Sequence, residues 1–393
     1  MTSRPLNMWF HVGLLGLAIM VAVWWLAGNR RPVAPDRASL SVTTAAALGQ
    51  AGGRKPVLTA PSTEDRVQAM IARCNGTARR DETRTGQPFV ELTIRSPELR
   101  DDDLHLLAAV CSLERLYLTS TPLSDHGLQY LSGMRALATL GIAGTRVTDR
   151  GLAHLGGLAS LRELFLGNTA ITDAGAPQLE VLSGLRTLYL NNTRVGDAGL
   201  VSLAKLIHLR TLSLQATPVS DAGLVRAAQW CELETLYLNG TRVGRDGLPF
   251  VRQLPQLRAL YLGQTEVTDA GLRTLGSADR LECLVLSNTQ LTDAGLAELT
   301  QLPRLRTLDL NGTQVTDAGI RHLTRLAELE SLLLSNTFIT DEGVLALRQQ
   351  RRLRQLWVIN TMVSDAAISE LGRHLPECRV RRFATPNVGV PCD

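Results

Sequence analysis

Apolar and polar positions recur along most of this chain with a fixed period of 24 residues. If Leu113 is position 1 of the first copy, apolar residues recur at positions 1, 4 and 6, as in LRTLYLNNTRVGDAGL at 185–200. The shared pattern is LxxLxLxxTx(V/I/L)(T/S/G)DxGLxxLxxL. An uninterrupted period of this length predicts a solenoid of stacked copies, in place of a compact globule. The eleven copies begin at Leu113, Leu137, Leu161, Leu185, Leu209, Leu233, Leu257, Leu281, Leu305, Leu329 and Leu353.

The periodicity changes inside each copy. At positions 4 to 6 apolar residues alternate, so that Leu188 and Leu190 point inward while Tyr189 points outward, which predicts a short strand. Positions 13 to 22 have helical spacing. The predicted fold class is an α/β solenoid, a curved stack with parallel strands on the concave face and helices on the convex face. One copy alone cannot offset the entropy lost on ordering, so neighbouring copies must share a core.

Three small or polar positions are nearly invariant among the copies. Position 9 is Thr in all eleven, and we expect its buried hydroxyl to donate to a backbone carbonyl of the next copy. Position 13 is Asp in ten copies, which predicts capping of the helix that begins there, with a row of calcium ligands as the alternative. Position 15 is Gly in ten copies, which indicates a close backbone approach between adjacent helices.

The amino-terminal part of the chain has a different pattern. Residues 8–28 form an apolar run in which only His11 can titrate, and at about 1.5 Å per residue such a run spans about 30 Å of hydrocarbon. We therefore predict a transmembrane signal-anchor helix within residues 1–28, with a cleaved signal peptide as the alternative. Residues 29–62, rich in Ala, Pro, Ser, Thr and Gly, are predicted to be a disordered linker.

Caps are expected at both ends of the repeats. The predicted N-terminal cap, 63–112, contains a short helix around Glu64 to Arg73 and a degenerate repeat from Phe89 to Ser112, with Pro97 at the threonine position. The repeats themselves occupy 113–376. The predicted C-terminal cap is 377–393.

Charge and cysteine placement point to opposite sides of the membrane for the body. Arg30, Arg31 and Arg37 follow the apolar run, whereas Arg4 precedes it, which favours the cytoplasm. Disulfides between Cys74 and Cys111 and between Cys378 and Cys392 would fasten the two caps and would require an oxidising compartment. We favour a single-pass protein with its body outside the cytoplasm. Cys231 and Cys283, about two copies apart, are interpreted as packed or free thiols.

Composition adds few candidates for chemistry. The formal net charge of +4 is small for 393 residues and implies no polyelectrolyte partner such as a nucleic acid. Neither a Cys-x-x-Cys pair, a glycine-rich phosphate loop nor a nucleophile elbow is present, and the histidines are scattered. We predict no enzyme, no cofactor and no metal site. Arg and Glu alternate at position 2 from Arg210 to Arg354, which predicts lateral ion pairs between copies.

Positions 3, 5 and 7 face away from the predicted core, so function can be encoded there, and four of the five tyrosines of the chain occupy position 5. Tyrosine surrounded by small polar residues is typical of adaptable recognition surfaces. The alternative is that aromatic residues stack there only to stabilise the strands. The predicted binding residues are Tyr117, Phe165, Tyr189, Tyr237, Tyr261 and Trp357.

The repeat pattern, with TDAGL at 268–272 and 292–296, resembles the leucine-rich repeat superfamily and within it the ribonuclease-inhibitor-like and cysteine-containing subgroups. The resemblance implies a curved scaffold that recognises protein partners on its concave face. Some cysteine-containing members select substrates for ubiquitin ligases. This chain departs from them, since it has Thr at position 9, where Asn or Cys is usual, and has no recognisable F-box-like segment.

Together these features predict a monomeric, membrane-anchored scaffold that binds a protein, an extended peptide or a saccharide through the position-5 column. The first alternative is a passive structural protein of the cell envelope without a specific ligand. The second, by family analogy, is a substrate adaptor of the ubiquitin-ligase type.

Overall fold

A computed structural model describes residues 62–83, 85–86, 88–244 and 248–382. The predicted membrane helix, almost all of the linker and most of the C-terminal cap lie outside these residues. Within the described ranges, no helix is both long and apolar enough to cross a membrane.

One sheet of fourteen strands runs through the described repeats, and its strands are ordered as they are in the sequence. All neighbouring strands pair in parallel except β1, which pairs antiparallel with β2. Each strand pairs residue for residue with the equivalent positions of the next copy, as Leu188 does with Leu212. The strands are β1 (Thr77–Arg80), β2 (Phe89–Thr93), β3 (Arg115–Tyr117), β4 (Thr139–Gly141), β5 (Glu163–Phe165), β6 (Thr187–Tyr189), β7 (Thr211–Ser213), β8 (Thr235–Tyr237), β9 (Ala259–Tyr261), β10 (Cys283–Val285), β11 (Thr307–Asp309), β12 (Ser331–Leu333), β13 (Gln355–Trp357) and β14 (Arg379–Arg381).

Short helices connect the strands. The α-helices are α1 (Thr63–Arg73), α2 (Asp125–Leu128), α3 (Asp149–Leu152), α4 (Ala176–Leu179), α5 (Asp197–Leu203), α6 (Asp221–Leu224), α7 (Asp269–Leu272), α8 (Asp293–Leu299), α9 (Asp317–Leu323), α10 (Asp341–Ala346) and α11 (Asp365–His374). Stretches of 3₁₀ helix cover Asp101–Ala109, Gln129–Leu131, Ala153–Gly157, Val225–Gln229, Pro249–Gln253, Leu275–Ser277 and Leu347–Gln349. Most repeat helices begin at the position-13 aspartate, as predicted. Several are shorter than predicted, because the chain tightens into 3₁₀ turns before it returns to the next strand.

The core is continuous along the stack. The leucines at positions 4 and 6 are fully buried in neighbouring copies, for example Leu188, Leu190 and Leu212. Burying one such side chain contributes about 1.5–3 kcal/mol. The prediction that successive copies share one core is confirmed.

The backbone after each strand turns through a left-handed residue. All eleven position-8 residues have φ between 53° and 69°. Asn or Gly occupies eight of these positions, as expected where the side chain must tolerate positive φ, and Ser120, Ala216 and Gln264 occupy the others. The apolar pattern gave no sign of this requirement.

The threonines at position 9 are bonded within their own copy. Each Oγ1 donates to the carbonyl of position 6, three residues earlier, at 2.5–2.8 Å, as Thr193 does to Leu190. The expected bond to the next copy is therefore wrong, although the hydroxyls are buried in all copies but the last, where Thr361 is partly exposed. The reason is geometric, because the left-handed turn at position 8 folds the threonine back over its own strand end.

The aspartates at position 13 join one copy to the next. The Asp293 carboxylate accepts from the backbone N–H of Thr316 at 2.8 Å and from its hydroxyl at 2.6 Å. The Thr316 hydroxyl in turn accepts from the N–H of Ala318, so position 12 provides the helix cap that we had assigned to Asp. Ten aspartates make this backbone bond at 2.6–2.9 Å: Asp101, Asp125, Asp149, Asp173, Asp197, Asp221, Asp269, Asp293, Asp317 and Asp341.

The glycines at position 15 make room for these carboxylates. A Cβ added to Gly319 would lie within 3.0 Å of Asp293 Oδ1 in the preceding copy, and Gly223 has the same relation to Asp197. Adjacent copies do approach closely here, but the expected approach of backbone to backbone is wrong, because the group that lies against these glycines is an aspartate side chain of the preceding copy.

At the two ends of the repeats, the predicted first helix is present, but the expected disulfide at the N-terminal end is not. Helix α1 matches the predicted helix and is capped by Ser62, whose hydroxyl accepts from the N–H of Asp65. Cys74 is buried and Cys111 exposed, and both are free thiols, so the expected disulfide between them is absent. Cys378 is also free, and burial raises the pKa of its thiol to about 11.

Cys283 was interpreted as a packed or free thiol, and that interpretation is wrong, because this residue is disulfide-bonded. Cys231 is an exposed free thiol, as expected.

The alternating charges at position 2 make some of the expected lateral ion pairs. Arg258 lies 2.7 Å from Glu282, and Arg306 lies 3.9 Å from Glu330. Arg210 pairs instead with Glu232, at 3.5 Å. These pairs are exposed and contribute little to stability.

Candidate functional site

Position 5 is the last residue of every repeat strand. Because successive residues of a strand point to opposite faces, a buried leucine at position 4 directs the position-5 side chain to the other face of the sheet. We call this the open face. The position-5 side chains of successive copies therefore form a row on the open face. Their spacing is that of neighbouring strands, about 4.8 Å.

Four of the six predicted binding residues form a continuous surface, here called the aromatic strip: Phe165, Tyr189, Tyr237 and Tyr261. The Phe165 and Tyr189 rings stack with centroids 5.1 Å apart and an interplanar angle of 29°. The Tyr237 and Tyr261 rings stack at 4.3 Å and 22°. All four side chains are partly exposed.

A serine allows the two stacked pairs to meet. Ser213 lies in register between Tyr189 and Tyr237, which are therefore two strands apart. Two strand spacings amount to about 9.6 Å, yet the ring centroids are only 6.1 Å apart. Both rings thus lean over Ser213, which is buried beneath them. Four rings over five strands make one unbroken apolar surface.

The other two predicted residues lie apart from the strip. The Tyr117 ring lies against its neighbour Gly141, where an added Cβ would be 2.7 Å from Tyr117 Cδ1. Trp357 is four strands beyond Tyr261, and the guanidinium of Arg381 lies 5.1 Å from the centroid of its ring. The structure therefore brings together four of the six residues and leaves Tyr117 and Trp357 at separate places on the open face.

The strip is uncharged across the physiological pH range. Burial, aided by the neighbouring Tyr237 hydroxyl, raises the pKa of Tyr189 and Tyr261, and burial raises the pKa of Tyr237 itself. Each hydroxyl therefore keeps its proton and can both donate and accept a hydrogen bond. The strip combines apolar area with three polar hydroxyl groups.

Small polar residues flank the strip. Thr187, Thr211 and Thr235 lie along the position-3 side and are partly exposed. On the position-7 side, Asn239 Oδ1 accepts from the backbone N–H of Gly263 at 2.7 Å, which fixes that side chain in place. The aromatic rings are thus presented between two polar rows on a rigid sheet.

Beyond Tyr261 the open face changes character. Val285, Asp309 and Leu333 occupy position 5 of β10, β11 and β12, and all three are buried. Asp309 Oδ1 accepts from the N–H of Asn311 at 2.9 Å, and burial raises the pKa of this carboxyl to about 6. Sequence reasoning missed this acid, although it is the only charged residue in the position-5 column.

Two donors on this part of the face lack partners. Ser331 Oγ and Trp357 Nε1 are buried and make no hydrogen bond. Such groups are uncommon in folded proteins, and each one calls for an explanation.

The aromatic strip lies on the surface of the described sheet. Two shallow grooves, of about 400 and 260 Å³, lie away from it. Across the described part of the chain, no cluster of three His, Cys, Asp or Glu side chains is arranged to hold a metal ion. The row of aspartates that suggested calcium is instead used in bonds between copies. A row of rings along the surface of a sheet suits an extended partner better than a small molecule.

Comparison with known proteins identifies the repeats. A family model described as a leucine-rich repeat region matches residues 170–371, just over half of the chain. The chain belongs to the leucine-rich repeat proteins. No curated protein matches it closely enough to add a named relative.

Solved structures of other leucine-rich repeat proteins share the fold. An internalin (inlF) from Listeria monocytogenes is 20% identical, with a TM-score of 0.58, over 81% of this chain and 94% of the internalin. TLR13, solved in a complex with ssRNA13, is also 20% identical, with a TM-score of 0.52, over 73% of this chain and 42% of TLR13. At this level of identity the likeness concerns the fold. The leucine-rich repeat fold is consistent with a scaffold for protein–protein interaction.

Proposed function

We propose that this leucine-rich repeat protein binds a protein or an extended peptide through the aromatic strip. The observation that carries the proposal is the continuity of four partly exposed rings across β5–β9, with Tyr189 and Tyr237 leaning together over Ser213. Nothing in the repeat pattern requires aromatic residues at position 5, since Gly141 and Ser213 occupy it in other copies.

The chemistry of the strip favours a polypeptide partner. Stacked tyrosines supply large contact areas at a low cost in conformational entropy, and neutral hydroxyls can bond to peptide groups. Aromatic residues near the centre of an interface commonly account for about 2 kcal/mol or more each when truncated. Five strands span about 20 Å, which is the length of about six extended residues.

Anchoring to a membrane is the second part of the proposal, and it rests on the sequence of residues 8–28 alone. A helix there would hold the repeat body near the bilayer through the linker, with the body outside the cytoplasm. Protease treatment of sealed vesicles tests the orientation. Cleavage of the repeats only after the vesicles are opened would contradict an outward-facing body in right-side-out vesicles.

Partner capture tests the strip directly. Membranes that carry the full chain are crosslinked, and the captured proteins are compared with those from the Tyr189→Ala, Tyr237→Ala, Tyr261→Ala triple variant. We expect the variant to lose capture by about 100-fold or more, because each truncation removes contact area at the centre of the interface.

Two controls separate binding from stability. The triple Tyr→Phe variant keeps the ring stack and removes only the hydroxyls, so it should fold as the parent does and retain part of the capture. Val181, Val201 and Val225 are exposed outside the sheet, and their triple alanine variant should capture normally. Equal capture by the parent and the triple Tyr→Ala variant would show that the strip is not the site. The absence of any reproducible partner would favour the passive structural role.

A further inference from the structure

A run of like charges lies just before the strands that carry the aromatic strip. At position 2, arginine and glutamate alternate from Arg210 to Arg354, but Arg162, Arg186 and Arg210 are arginines in three consecutive copies. Their backbones are in register, since the Arg186 N–H donates to the Arg162 carbonyl and the Arg210 N–H to the Arg186 carbonyl, both at 2.8 Å. The three side chains therefore start about 4.8 Å apart at one edge of the sheet. We call these three residues the arginine row.

Stacking of the repeats does not account for the arginine row. Like charges directly beside each other on neighbouring strands destabilise a sheet, whereas opposite charges stabilise it. Further along the same column, Arg258 and Glu282 form such a stabilising pair at 2.7 Å. Three adjacent arginines are instead stabilised when a negatively charged group of another molecule binds beside them.

The middle arginine has the least compensated charge. Arg186 is exposed, and within the described part of the chain its side chain makes neither an ion pair nor a hydrogen bond. Its lateral neighbours, Arg162 and Arg210, have the same charge. The planar guanidinium group can bind both oxygens of a carboxylate through two parallel hydrogen bonds.

The acidic side chains around the row are engaged elsewhere or lie at its end. The Glu163 carboxylate on β5 accepts from Thr139 Oγ1 on β4 at 2.9 Å. Glu232 lies 3.5 Å from Arg210 and also contacts His208, at 2.9 Å. The row thus keeps a net positive charge, which is highest around its middle member.

The arginine row runs parallel to the aromatic strip. Arg186 precedes β6 and Tyr189 ends it, so the two residues are about 10 Å apart along the strand. Thr187 and Thr211 lie between the two rows and are partly exposed. An extended chain that lies over the strip can therefore direct one side chain to the arginines while other side chains contact the rings.

We propose that the partner of the aromatic strip is an acidic peptide segment and that one of its Asp or Glu side chains binds Arg186, with Arg162 and Arg210 adding to the attraction. This inference rests on the proposed function, because it assigns the chemistry of the partner at the same surface. The neutral tyrosines provide contact area. The arginines select the sign of the partner's charge and accelerate its association.

Single-stranded nucleic acid is the other polyanion that aromatic side chains and arginines bind, and its bases need ring faces on which to stack. In the strip, however, the rings already stack on each other, Phe165 on Tyr189 and Tyr237 on Tyr261. Rings that cover each other leave few free faces for bases. The arrangement therefore favours a peptide.

Selection from a displayed library of random ten-residue peptides tests the proposal, with the full chain as bait. We expect the enriched peptides to combine apolar residues with a net negative charge. Their affinity for Arg186→Gln should be about tenfold lower or less, because the variant lacks the charged hydrogen-bond donors. Arg306→Gln is the matched control, since Arg306 is also exposed at position 2 but precedes β11, beyond the strip. This variant should bind the peptides as the parent does.

Two further measurements separate binding from a structural role. Raising the salt concentration from 0.05 to 0.5 M should weaken the binding of an enriched peptide to the parent more than its binding to Arg186→Gln, because salt screens the attraction. The melting temperature of Arg186→Gln should equal or exceed that of the parent, since the substitution removes repulsion between like charges. A lower melting temperature with unchanged peptide affinity would mean that Arg186 only supports the fold, and it would overturn the proposal.

The remaining outcomes distinguish this inference from the proposed function. Enriched peptides that are uncharged or basic, and that bind Arg186→Gln but not the triple Tyr→Ala variant, would overturn the acidic partner and leave the strip as the site. Peptides that bind the triple Tyr→Ala variant as tightly as the parent, or a library without any binder, would overturn both. A ten-residue oligothymidylate that binds more tightly than the acidic peptides and displaces them would identify nucleic acid as the partner and overturn the proposal.

Discussion

Strands β5–β9 and β10–β12 belong to one sheet and pair in the same register, yet their outward side chains lie in different surroundings. On the first group, stacked rings are partly exposed above Ser213; on the second, Val285, Asp309 and Leu333 are buried. The repeat sets where each position-5 side chain points but not what lies above it. Exposure on this face therefore differs from copy to copy, and four experiments test this difference.

The largest expected difference concerns Leu333 and Tyr189. Leu333→Ala should lower the free energy of unfolding by about 2–5 kcal/mol, because it leaves a cavity at a buried position. Tyr189→Ala should cost less, about 1–2 kcal/mol, since its ring is partly exposed and loses mainly stacking. Urea unfolding followed by circular dichroism measures both. Equal losses would contradict the distinction between the two parts of the face.

The second experiment uses the buried carboxyl of Asp309. Its pKa is raised from an ordinary 3.8 to about 6, so between these pH values the native state binds more protons than the unfolded chain. The contribution of Asp309 to stability should therefore fall as the pH rises through this window, by about 3 kcal/mol in total. Asp309→Asn should remove this pH dependence and should be the more stable protein at pH 8.

A matched aspartate provides the control for that experiment. Asp293 accepts two hydrogen bonds from Thr316 in the next copy, so Asp293→Asn should destabilise the protein at neutral pH. If the difference in stability between the wild-type protein and Asp309→Asn does not change between pH 4 and 7, the carboxyl of Asp309 is not held in a desolvated site.

The third experiment concerns the small residue beneath the strip. Ser213→Val should push the Tyr189 and Tyr237 rings apart and cost about 1–2 kcal/mol through overpacking. Ser213→Ala keeps the small volume and should change stability by less than about 0.5 kcal/mol. Near-ultraviolet circular dichroism reports the ring arrangement. An unchanged tyrosine signal in the valine variant would mean that the arrangement of the rings does not depend on a small side chain at position 213.

The smallest effect is expected for the ion pair between Arg258 and Glu282, which join β9 and β10 across the border of the two regions. A double-mutant cycle with alanine should give a coupling energy of about 0.2–1 kcal/mol, because both side chains are solvated. Half-molar salt should reduce it further. A coupling energy above about 2 kcal/mol would show that this ion pair stabilises the fold more than a solvated pair does.

Much of the fold followed from the apolar pattern. Leucines at positions 4 and 6 gave the strands, the shared core and the direction of the position-5 side chains, because burial depends on periodicity alone. The recurrent glycine correctly indicated a close approach between copies, but the approaching group is an aspartate side chain and not the predicted backbone. These inferences depend on distances within one copy and on simple stacking of equal units.

The polar positions were harder to interpret, because a pattern shows that a side chain recurs but not which group it bonds. Threonine at position 9 turned back to its own strand, and aspartate at position 13 bonded to the next copy in place of capping its helix. The left-handed turn at position 8 decides the first case, and asparagine and glycine at that position were its available signal. The burial of Asp309 and the bonded state of Cys283 left no signal in the local pattern of the repeats.

The row of aspartates also bears on how such a chain can change its length. Eight of these ten carboxylates accept from both the hydroxyl and the amide of position 12 in the next copy, and Asp101 of the degenerate first repeat already does so from Ser124. If one 24-residue unit were duplicated or deleted, its aspartate and its position-12 residue could therefore form the same hydrogen bonds with the new neighbouring copies. Recombination within the coding sequence can in this way add or remove one strand of the open face at a time and keep the hydrogen bonds between neighbouring copies.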